Sequence, residues 1–440
     1  MLPNPSFPRH NIGMNALISA SSYRPDFSTP GYQNAKSLEI IGGKTLLEHQ
    51  VDSLLKNGID QIFVVLPKGS EEATRFLQNK KGVHSIFLSE PLGTGGAIAL
   101  APLDEDLLFV PGNLFFEVDL PSMLRFHQER EALLTCLSRP EPHPEKKDVL
   151  TLKDNGRGFI ILPKETTGAR DFFYSNLIPT DFAIISPDLL CTFDPDDPWP
   201  LDFHKETFEP TLAVEGLYSY FSPEYALEIT NAETLAKVTR DLKAGIPAQK
   251  CLKNPQKAFF LDRDGTINVF GDFVVRPDML HLIPGAAEAI KKINDAGYLA
   301  ICVTNQPVVA RGECTPQEMA NILANLEMLL GKEGAYLDAI YYCPHFPKEF
   351  PGSDKRFTKE CRCRKPGTGL VEEAAKAFNI DLSSSWFIGD TCRDVKTGQN
   401  AGTHTALLLG GDPNPGKRYG EAVPEKKYQS LKEAIDNILS

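Results

Sequence analysis

The strongest constraint on the fold is an alternation of short apolar runs with amphipathic stretches, which occurs twice along the chain. In the first half the runs are NALIS, QIFVVL, SIFL, DLLFVPG and FAII, with helix-like stretches such as LLEHQVDSLLKNG between them. In the second half they are AFFLD, YLAICVT, AIYYCP, SWFIGD and TALLLG. Short apolar runs that alternate with helices are typical of parallel strands. We therefore predict an α/β chain with two open, doubly wound, mostly parallel sheets.

The boundary between the two sheets is predicted near residues 244–257. There the segment AGIPAQKCLKNPQ follows a charged helical stretch and precedes the apolar run AFFLD. We place a first domain at residues 1–248 and a second at 249–440. Hydrophobic and charged residues make up 42% and 24% of the 440 residues, which are ordinary globular values, so each domain can bury its own core.

The charge of the chain argues against polyanionic partners. It has 46 basic and 58 acidic residues, a formal net charge of -12, so its long-range field repels nucleic acids and anionic membranes. No apolar run approaches the roughly 18 residues of a membrane helix, and MLPNPSFPRHN lacks the pattern of a signal peptide. We expect a cytoplasmic protein that binds a small molecule, with no nucleic acid or membrane partner.

Acidic side chains follow two of the apolar runs in the second half. Asp262 and Asp264 come directly after AFFL, and Asp390 and Asp394 follow SWFIG. In open α/β sheets the ligand site lies at the carboxyl ends of the strands, so these carboxylates are candidates for one site. Carboxylate oxygens are ligands that Mg²⁺ prefers, and two of them two residues apart suit one nucleophile and one acid–base group.

Polar residues complete a pattern with a fixed order along the chain. Thr304 and Asn305 end the run YLAICV, and Arg364 and Lys365 precede a Pro-Gly turn. Over about residues 257–412 this order resembles the haloacid dehalogenase phosphohydrolase superfamily. Its members have an aspartate after the first strand, a threonine or serine after the second, a lysine, and a late Gly-Asp-x-x-x-Asp. The resemblance implies that these elements together bind one phosphoryl group.

The same resemblance implies a role for each of these residues. Asp262 would attack phosphorus to give an aspartyl-phosphate, and Asp264 would protonate the leaving alcohol and then activate the water. Mg²⁺ would be held by Asp262, Asp390 and the backbone carbonyl of Asp264. The phosphoryl oxygens would be bound by Thr304, Asn305 and Lys365. For Asp394 three roles stay open, namely metal binding, orientation of the lysine, or capping of the following turn.

Two closely spaced pairs of residues predict a second metal site. YYCPHFP contains Cys343 and His345, and ECRCRKP contains Cys361 and Cys363, with fifteen residues between the pairs. Three thiolates and one imidazole form a closed tetrahedral set for structural Zn²⁺. A disulfide is disfavoured by the expected cytoplasmic location.

A basic segment lies between and after these pairs, from Lys355 to Lys365, with six lysines and arginines in eleven positions. Such a run is often a solvated surface, but a zinc site would fix it next to the Mg²⁺ site. There it could bind a second phosphate or sugar hydroxyls, with Arg364 as the first candidate.

Four motifs narrow the resemblance within the superfamily. CPHFP, CRCRKP, TNQPVVARGE and LDRDGTIN resemble the D-glycero-D-manno-heptose 1,7-bisphosphate phosphatases, with histidinol-phosphate phosphatases as close relatives. The long interval between the two ligand pairs favours the heptose branch. In that branch Arg311 would lie near the substrate, although an exposed arginine at a helix start is an equally good interpretation.

The first half resembles the sugar-1-phosphate nucleotidyltransferases over about residues 14–240. The motifs are MNALISASSYRP, NAKSLEIIGGKTLLEHQVDSLLKNG, EPLGTGGAIALAP and DLLFVPGNLFFEVDL. A glycine-rich turn that such enzymes use for nucleotide phosphates is replaced by the segment from Ser19 to Arg24, and a metal-binding Gly-Asp by Gly112-Asn113. Lys36 and the LGTGG loop are retained, so binding of a sugar or nucleotide by this domain stays open.

Three functions compete at this point. The first is a phosphatase, most simply for D-glycero-D-manno-heptose 1,7-bisphosphate, with a catalytically degenerate first domain. The second is a bifunctional phosphatase and heptose-1-phosphate nucleotidyltransferase of activated heptose synthesis, as in lipopolysaccharide biosynthesis. The third is a histidinol-phosphate phosphatase or a non-catalytic sugar-phosphate binding protein. We favour the first, because the residues of the phosphatase pattern are all present in the second half.

Overall fold

The computed structural model divides the chain into two compact units. The first comprises Met1–Arg139, Leu152–Ile160 and Pro179–Cys251, and the second comprises Pro140–Thr151, Ile161–Ile178 and Leu252–Ser440. The residues that the structure describes are 13–20, 36–68, 70–89, 92–93, 95–102, 104–152, 159–162, 173–194, 196, 201–269, 271, 273–412 and 422–440. The division into domains 1–248 and 249–440 stays a proposal.

The main sheet of the first unit has seven strands in the described part of the chain. In spatial order they are β12 (Leu217–Phe221), β8 (Leu134–Pro140), β11 (Leu177–Ile185), β6 (Asp106–Pro111), β1 (Met14–Ser19), β4 (Ile62–Pro67) and β5 (Val83–Leu88). The pairs β6–β1, β1–β4 and β4–β5 are parallel, whereas β11 runs antiparallel to β6. The sheet is therefore mostly parallel, as predicted.

The described residues also form shorter strand pairs. They are β2 (Ile40–Ile41) with β3 (Lys44–Thr45), β7 (Leu114–Glu117) with β13 (Tyr225–Glu228), and β9 (Val149–Leu152) with β10 (Phe159–Leu162).

Several helices in the described part of the first unit begin at residues whose side chains cap them. They are α1 (Leu46–Lys56), α2 (Glu71–Leu77), α3 (Leu120–Glu129), α4 (Pro187–Leu190), α5 (Glu209–Ala213), α6 (Ala232–Lys243) and α7 (Ile246–Lys250). Thr45 forms a capping box with Glu48 at the start of α1, so two otherwise unpaired backbone N–H groups are satisfied there. One face of α1 packs on the sheet through Leu47, Val51 and Leu54, in the helical spacing that the sequence predicts.

The second unit contains a six-stranded sheet. Its spatial order is β16 (Ala339–Cys343), β15 (Leu299–Asn305), β14 (Ala258–Leu261), β17 (Trp386–Gly389), β18 (His404–Leu408) and β19 (Lys426–Tyr428). Every neighbouring pair is parallel. All residues of β14 and β15 are buried, which explains why these strands appear in the sequence as continuous apolar runs rather than alternating ones.

The second unit's helices cover this sheet. They are α8 (Ala286–Asp295), α9 (Pro316–Lys332), α10 (Gly369–Ala377), α11 (Cys392–Ala401) and α12 (Leu431–Ile438). Thr315 caps α9 through a capping box with Glu318, and Pro316 occupies the first turn, where no backbone donor is lost. The main core of the unit combines Phe259 and Leu261 of β14 with apolar residues of α8 and α9.

Short helical turns connect several of these elements. Those of the 3-10 type are Lys36–Leu38, Gly96–Leu100, Pro144–Lys146, Pro277–Met279 and Leu382–Ser384, and His204–Phe208 is a π-helical turn. Within the described residues, no helix combines the length and the apolar character that crossing a membrane requires.

Candidate active site

The strand order of the second unit brings the predicted polar residues to one edge of its sheet. β14 lies between β15 and β17, and all three are parallel, so their carboxyl ends are adjacent. Asp262 follows β14, Thr304 and Asn305 end β15, and Asp390 follows β17. This edge is where ligands bind in open α/β sheets.

A buried lysine connects two of the carboxylates. The Nζ atom of Lys365 lies 2.8 Å from Oδ1 of Asp262 and 2.6 Å from Oδ1 of Asp394, and it donates to the backbone carbonyl of Val303 at 2.8 Å. The lysine side chain is fully buried, and so is that of Asp394. Two ion pairs and one hydrogen bond therefore hold the ammonium group in place.

The charges of this cluster stabilise each other. Burial lowers the pKa of Lys365, but Asp262 and Asp394 outweigh it and hold the pKa above the ordinary value. Burial likewise raises the pKa of Asp394, but Lys365 and Arg393 hold it below its usual range. The other oxygen of Asp394 accepts hydrogen bonds from the N–H and hydroxyl of Thr391 at the start of α11. The geometry thus favours orientation of the lysine and helix capping among the roles left open for Asp394.

Two carboxylates of the cluster have pKa values above the ordinary range. Burial and the charge of Asp394 raise the pKa of Asp262 to about 6, and burial with both neighbouring carboxylates raises that of Asp390 to about 8. Ligand oxygens of all three aspartates lie within 4.8 Å of one another. The N–H of Arg263 and the ammonium of Lys365 both contact Oδ1 of Asp262, and the N–H of Asp412 donates to Oδ2 of Asp390. Among the described residues, the other oxygen of each carboxylate accepts no hydrogen bond. A divalent cation fits these two oxygens.

Asp264 has several partners that the sequence analysis did not identify. Its carboxylate accepts hydrogen bonds from the guanidinium of Arg263, from Nδ2 of Asn268 at 3.0 Å and from Nε2 of Gln306 at 2.9 Å. Burial raises the pKa of Asp264, but the Arg263 charge and these hydrogen bonds hold it below the usual range. The run DRDGTIN offered a signal, because Arg263 stands between two acids and the turn places Asn268 next to Asp264.

The two residues at the end of β15 make different hydrogen bonds within the protein. The hydroxyl of Thr304 accepts a hydrogen bond from Gln306 at 2.8 Å. The side-chain amide of Asn305 bonds the backbone of Lys365 in both directions, at 3.0 and 3.2 Å. Asn305 therefore fixes the segment that carries the lysine, and its contact with substrate stays a prediction.

The two Cys/His pairs meet after β16. Sγ of Cys363 lies 3.2 Å from Sγ of Cys343, 3.2 Å from Sγ of Cys361 and 3.2 Å from Nδ1 of His345. The ligand atoms of all four residues lie within 4.8 Å of one another, so a single ion can be bound by all of them. Burial and the Lys359 charge lower the pKa of His345, which favours the neutral imidazole that a metal ligand must be.

Two arginines at this edge rest on aromatic rings. Arg364 lies 4.8 Å from the ring centroid of Phe346 and donates to the backbone carbonyl of His345 at 3.1 Å. Arg311 lies in a turn, 4.7 and 5.2 Å from the rings of Phe273 and Phe350. Stacking on aromatic faces restricts a guanidinium to few orientations. Nη2 of Arg311 is also paired with Glu313 at 2.6 Å.

A glycine allows the turn after β14 to approach Asp390. Gly265 has φ +79°, and a Cβ atom there would lie 1.8 Å from Oδ2 of Asp390. We expect Gly265→Ala to displace this carboxylate and to lower the free energy of unfolding by about 1–3 kcal/mol through backbone strain. Thermal melting and Mg²⁺ titration of activity measure the two effects. Gly271→Ala, which meets no atom within 4 Å, is the control and should change neither.

In the first unit, the turn at Gly112-Asn113 is held by specific backbone and side-chain contacts. This is where the resemblance to nucleotidyltransferases places a metal-binding Gly-Asp. The N–H of Gly112 donates to the carbonyl of Ser19 at 3.1 Å, and a Cβ at Gly112 would lie 2.4 Å from that oxygen. Gln50 braces the same turn by donating to the carbonyls of Pro111 and Leu114. Lys36, Gly93, Gly95 and Gly96 are described, whereas the segment from Ser21 to Arg24 lies outside the described residues.

Comparison with known proteins gives the class of each half. The order of strand-end groups in the second unit is that of haloacid dehalogenase-like hydrolases, and the HAD-hydrolase-like family model matches residues 362–434. The nucleotidyl transferase family model matches residues 32–265, more than half of the chain.

Individual relatives refine this result. D-glycero-beta-D-manno-heptose-1,7-bisphosphate 7-phosphatase of Haemophilus ducreyi is 37% identical over 155 residues, 35% of this chain and 83% of the relative. The Yersinia pestis enzyme of that name is 35% identical over 40% of this chain and 90% of its own. The chain therefore belongs to the nucleotidyl transferase family through its first half and to the family of these 7-phosphatases through its second. The second half is an enzyme of the phosphatase class.

Solved structures are similar to each half. The D,D-heptose 1,7-bisphosphate phosphatase from B. bronchiseptica, complexed with magnesium and phosphate, is 28% identical, with a TM-score of 0.38 over 42% of this chain and 98% of that one. HddC from Yersinia pseudotuberculosis is 18% identical, with a TM-score of 0.42 over 52% of this chain and 99% of that one.

Proposed function

We propose that the protein hydrolyses a phosphate ester of D-glycero-D-manno-heptose 1,7-bisphosphate through an aspartyl-phosphate on Asp262. The observation that supports this most is the meeting of Asp262, Asp390 and Lys365 at one sheet edge. It occurs in a half-chain that aligns with phosphatases named for this substrate.

The reaction has two displacements. In the first, a carboxylate oxygen of Asp262 forms a bond to phosphorus while the bond to the sugar oxygen breaks, and Asp264 gives a proton to that oxygen. In the second, Asp264 takes a proton from water as the water oxygen attacks phosphorus, and the bond to Asp262 breaks. Lys365 and Thr304 bind the phosphoryl oxygens, where negative charge is concentrated.

Two metal ions belong to this proposal. Asp262 and Asp390 would hold Mg²⁺ together with the backbone carbonyl of Asp264. When bound, the ion offsets the negative charge of the carboxylates and of the phosphoryl group. Zn²⁺ would be structural and held by the group Cys343, His345, Cys361 and Cys363, which has no fifth ligand position to offer a substrate.

The basic segment from Lys355 to Lys365 supplies a residue for the second phosphate. Arg364 adjoins Lys365 and is oriented by Phe346 and the carbonyl of His345. We expect Arg364→Ala to raise KM for the bisphosphate about ten- to one-hundred-fold, the loss of a charge-assisted hydrogen bond, with a smaller change in kcat. Steady-state kinetics with the bisphosphate and with p-nitrophenyl phosphate measure this difference.

The matched control for that prediction is Arg356→Ala in the same segment. The Arg356 side chain is 74% exposed and pairs with Asp354, so its loss should leave KM unchanged. Equal KM values for Arg364→Ala and Arg356→Ala, at full zinc content, would remove Arg364 from the substrate site.

The test of the proposed function is phosphate release by the full chain with Mg²⁺ across a substrate panel. The panel holds heptose 1,7-bisphosphate, histidinol phosphate and simpler sugar phosphates. We expect kcat/KM for the heptose bisphosphate to exceed the others by about 100-fold or more, because a second phosphate adds binding that the others lack. A preference for histidinol phosphate would move the protein to that branch, and no turnover at all would indicate a binding protein.

One observation favours a second activity, nucleotidyl transfer to heptose 1-phosphate. It is the match of the nucleotidyl transferase family model to residues 32–265. The turn Gly112-Asn113 follows β6, where the family resemblance places a metal-binding aspartate. A neutral amide cannot supply that charge, so we expect no pyrophosphate from GTP, ATP or CTP with heptose 1-phosphate. Pyrophosphate that is released by the wild type and lost in Asn113→Ala would establish the bifunctional alternative.

A further inference from the structure

The largest fully buried side chain in the described part of the chain is a charged one, Arg263. It stands between the two aspartates to which the proposed function gives the chemistry, and only 1% of it is exposed. A buried guanidinium is costly unless its charge and its donors are paired. The proposed mechanism gives Arg263 no role, so its contacts have to explain why a charged side chain is buried here.

Arg263 contacts both aspartates. Its backbone N–H donates to Oδ1 of Asp262 at 2.7 Å. Its Nε donates to Oδ1 of Asp264 at 3.1 Å, and its Nη2 lies 2.8 and 2.9 Å from the two oxygens of that carboxylate. The remaining nitrogen, Nη1, lies 3.9 Å from the sulfur of Met319 on α9.

Three side chains hold the Asp264 carboxylate in place. Asn268 adds a donor to Oδ1 and Gln306 adds one to Oδ2, so Oδ1 has three contacts and Oδ2 has two. The Asp264 side chain is still 34% exposed, whereas that of Arg263 is buried. A ligand can therefore reach Asp264 while Arg263 holds it from the protein interior.

We propose that Arg263 is a positioning residue, which holds the carboxyl group of Asp264 at the place where the leaving-group oxygen departs. The inference rests on the proposed function. In the first displacement the bond between phosphorus and the sugar oxygen breaks, and the oxygen keeps the electron pair and takes the proton of Asp264. Oδ1 of Asp264 receives three of the five contacts, so the carboxyl group stays anchored through this oxygen while the proton is transferred.

The test uses Arg263→Lys in the full chain, because lysine keeps the charge and loses the planar fork. Pre-steady-state release of the leaving group is measured from a sugar phosphate and from p-nitrophenyl phosphate, whose leaving group needs no proton. We expect the variant to slow release from the sugar phosphate about 10- to 100-fold and release from p-nitrophenyl phosphate less than about 3-fold, with KM unchanged. Equal slowing of both esters, or slowing of neither, overturns the proposal.

Two further variants separate a positioning role from a structural one. In the Asp264→Asn background, Arg263→Lys should cause no additional loss on the sugar phosphate, because the group on which it acts is gone. A full additional loss contradicts the proposal. Arg276→Lys is the matched control, since Arg276 is exposed and bonds Asp278 in the same manner. It should leave both rates unchanged.

The same series distinguishes this inference from the proposed function. If Arg263→Lys is too unstable to purify, Arg263→Gln retains an amide donor group without charge and should give the same contrast between the two esters. Full hydrolysis in Asp262→Asn rejects the proposed mechanism itself. Loss of hydrolysis in Asp262→Asn, combined with equal slowing of both esters in the Arg263 variants, rejects only the role of Arg263.

Discussion

Asp262→Asn is expected to reduce phosphate release by at least about 1,000-fold with every substrate that the protein hydrolyses. The amide lacks the anionic oxygen that attacks phosphorus, and it also removes the charge that faces Lys365. The variant keeps the shape of the side chain, so the fold should be retained. Phosphate release at saturating Mg²⁺ and thermal melting measure both points.

The matched control is Asp278→Asn, an aspartate that pairs with Arg276 on the surface of the same unit. Its activity should equal that of the wild type. Substantial hydrolysis by Asp262→Asn, at a rate close to that of the control, would exclude Asp262 as the nucleophile.

Cys361→Ser/Cys363→Ser is expected to have the largest effect on stability. Loss of two of four ligands removes the zinc, and structural zinc contributes several kcal/mol to folding in small domains. We expect the melting temperature of the second unit to fall by about 10 °C or more. Activity should fall as well, because the loop that loses its metal continues directly into Arg364 and Lys365.

Metal content and melting temperature of the purified variant test this account together. Cys191→Ser changes an exposed cysteine outside the Cys/His group and should alter neither quantity. A native protein without zinc, or a double variant that keeps its zinc, would contradict the assignment.

The sheets could be predicted from the sequence because their inner strands are buried on both faces. AFFL and LAICV are continuous apolar runs, and the structure confirms them as parts of β14 and β15. The edge strand β19 was missed, because KKY is short, charged and mostly exposed. The antiparallel direction of β11 was missed too, since a buried apolar run looks the same in either orientation.

The sequence predicts those site residues that directly follow a strand. Side chains directly after parallel strands must meet, which is why Asp262 and Asp390 could be paired across more than a hundred residues. What the sequence left open depends on side-chain direction. The contact of Asp394 with Lys365 and the contacts of Arg263 and Gln306 with Asp264 follow from rotamers that no spacing rule specifies.

Trapping of the phosphorylated enzyme tests the central claim most directly. Wild-type protein would be mixed with heptose 1,7-bisphosphate and Mg²⁺, quenched in acid within the first turnover and digested for mass spectrometry. We expect one phosphoryl group on the peptide that contains AFFLDRDGTIN, at Asp262, and none in Asp262→Asn. A phosphoryl group on another residue, or hydrolysis without any phosphorylated peptide, would contradict the account.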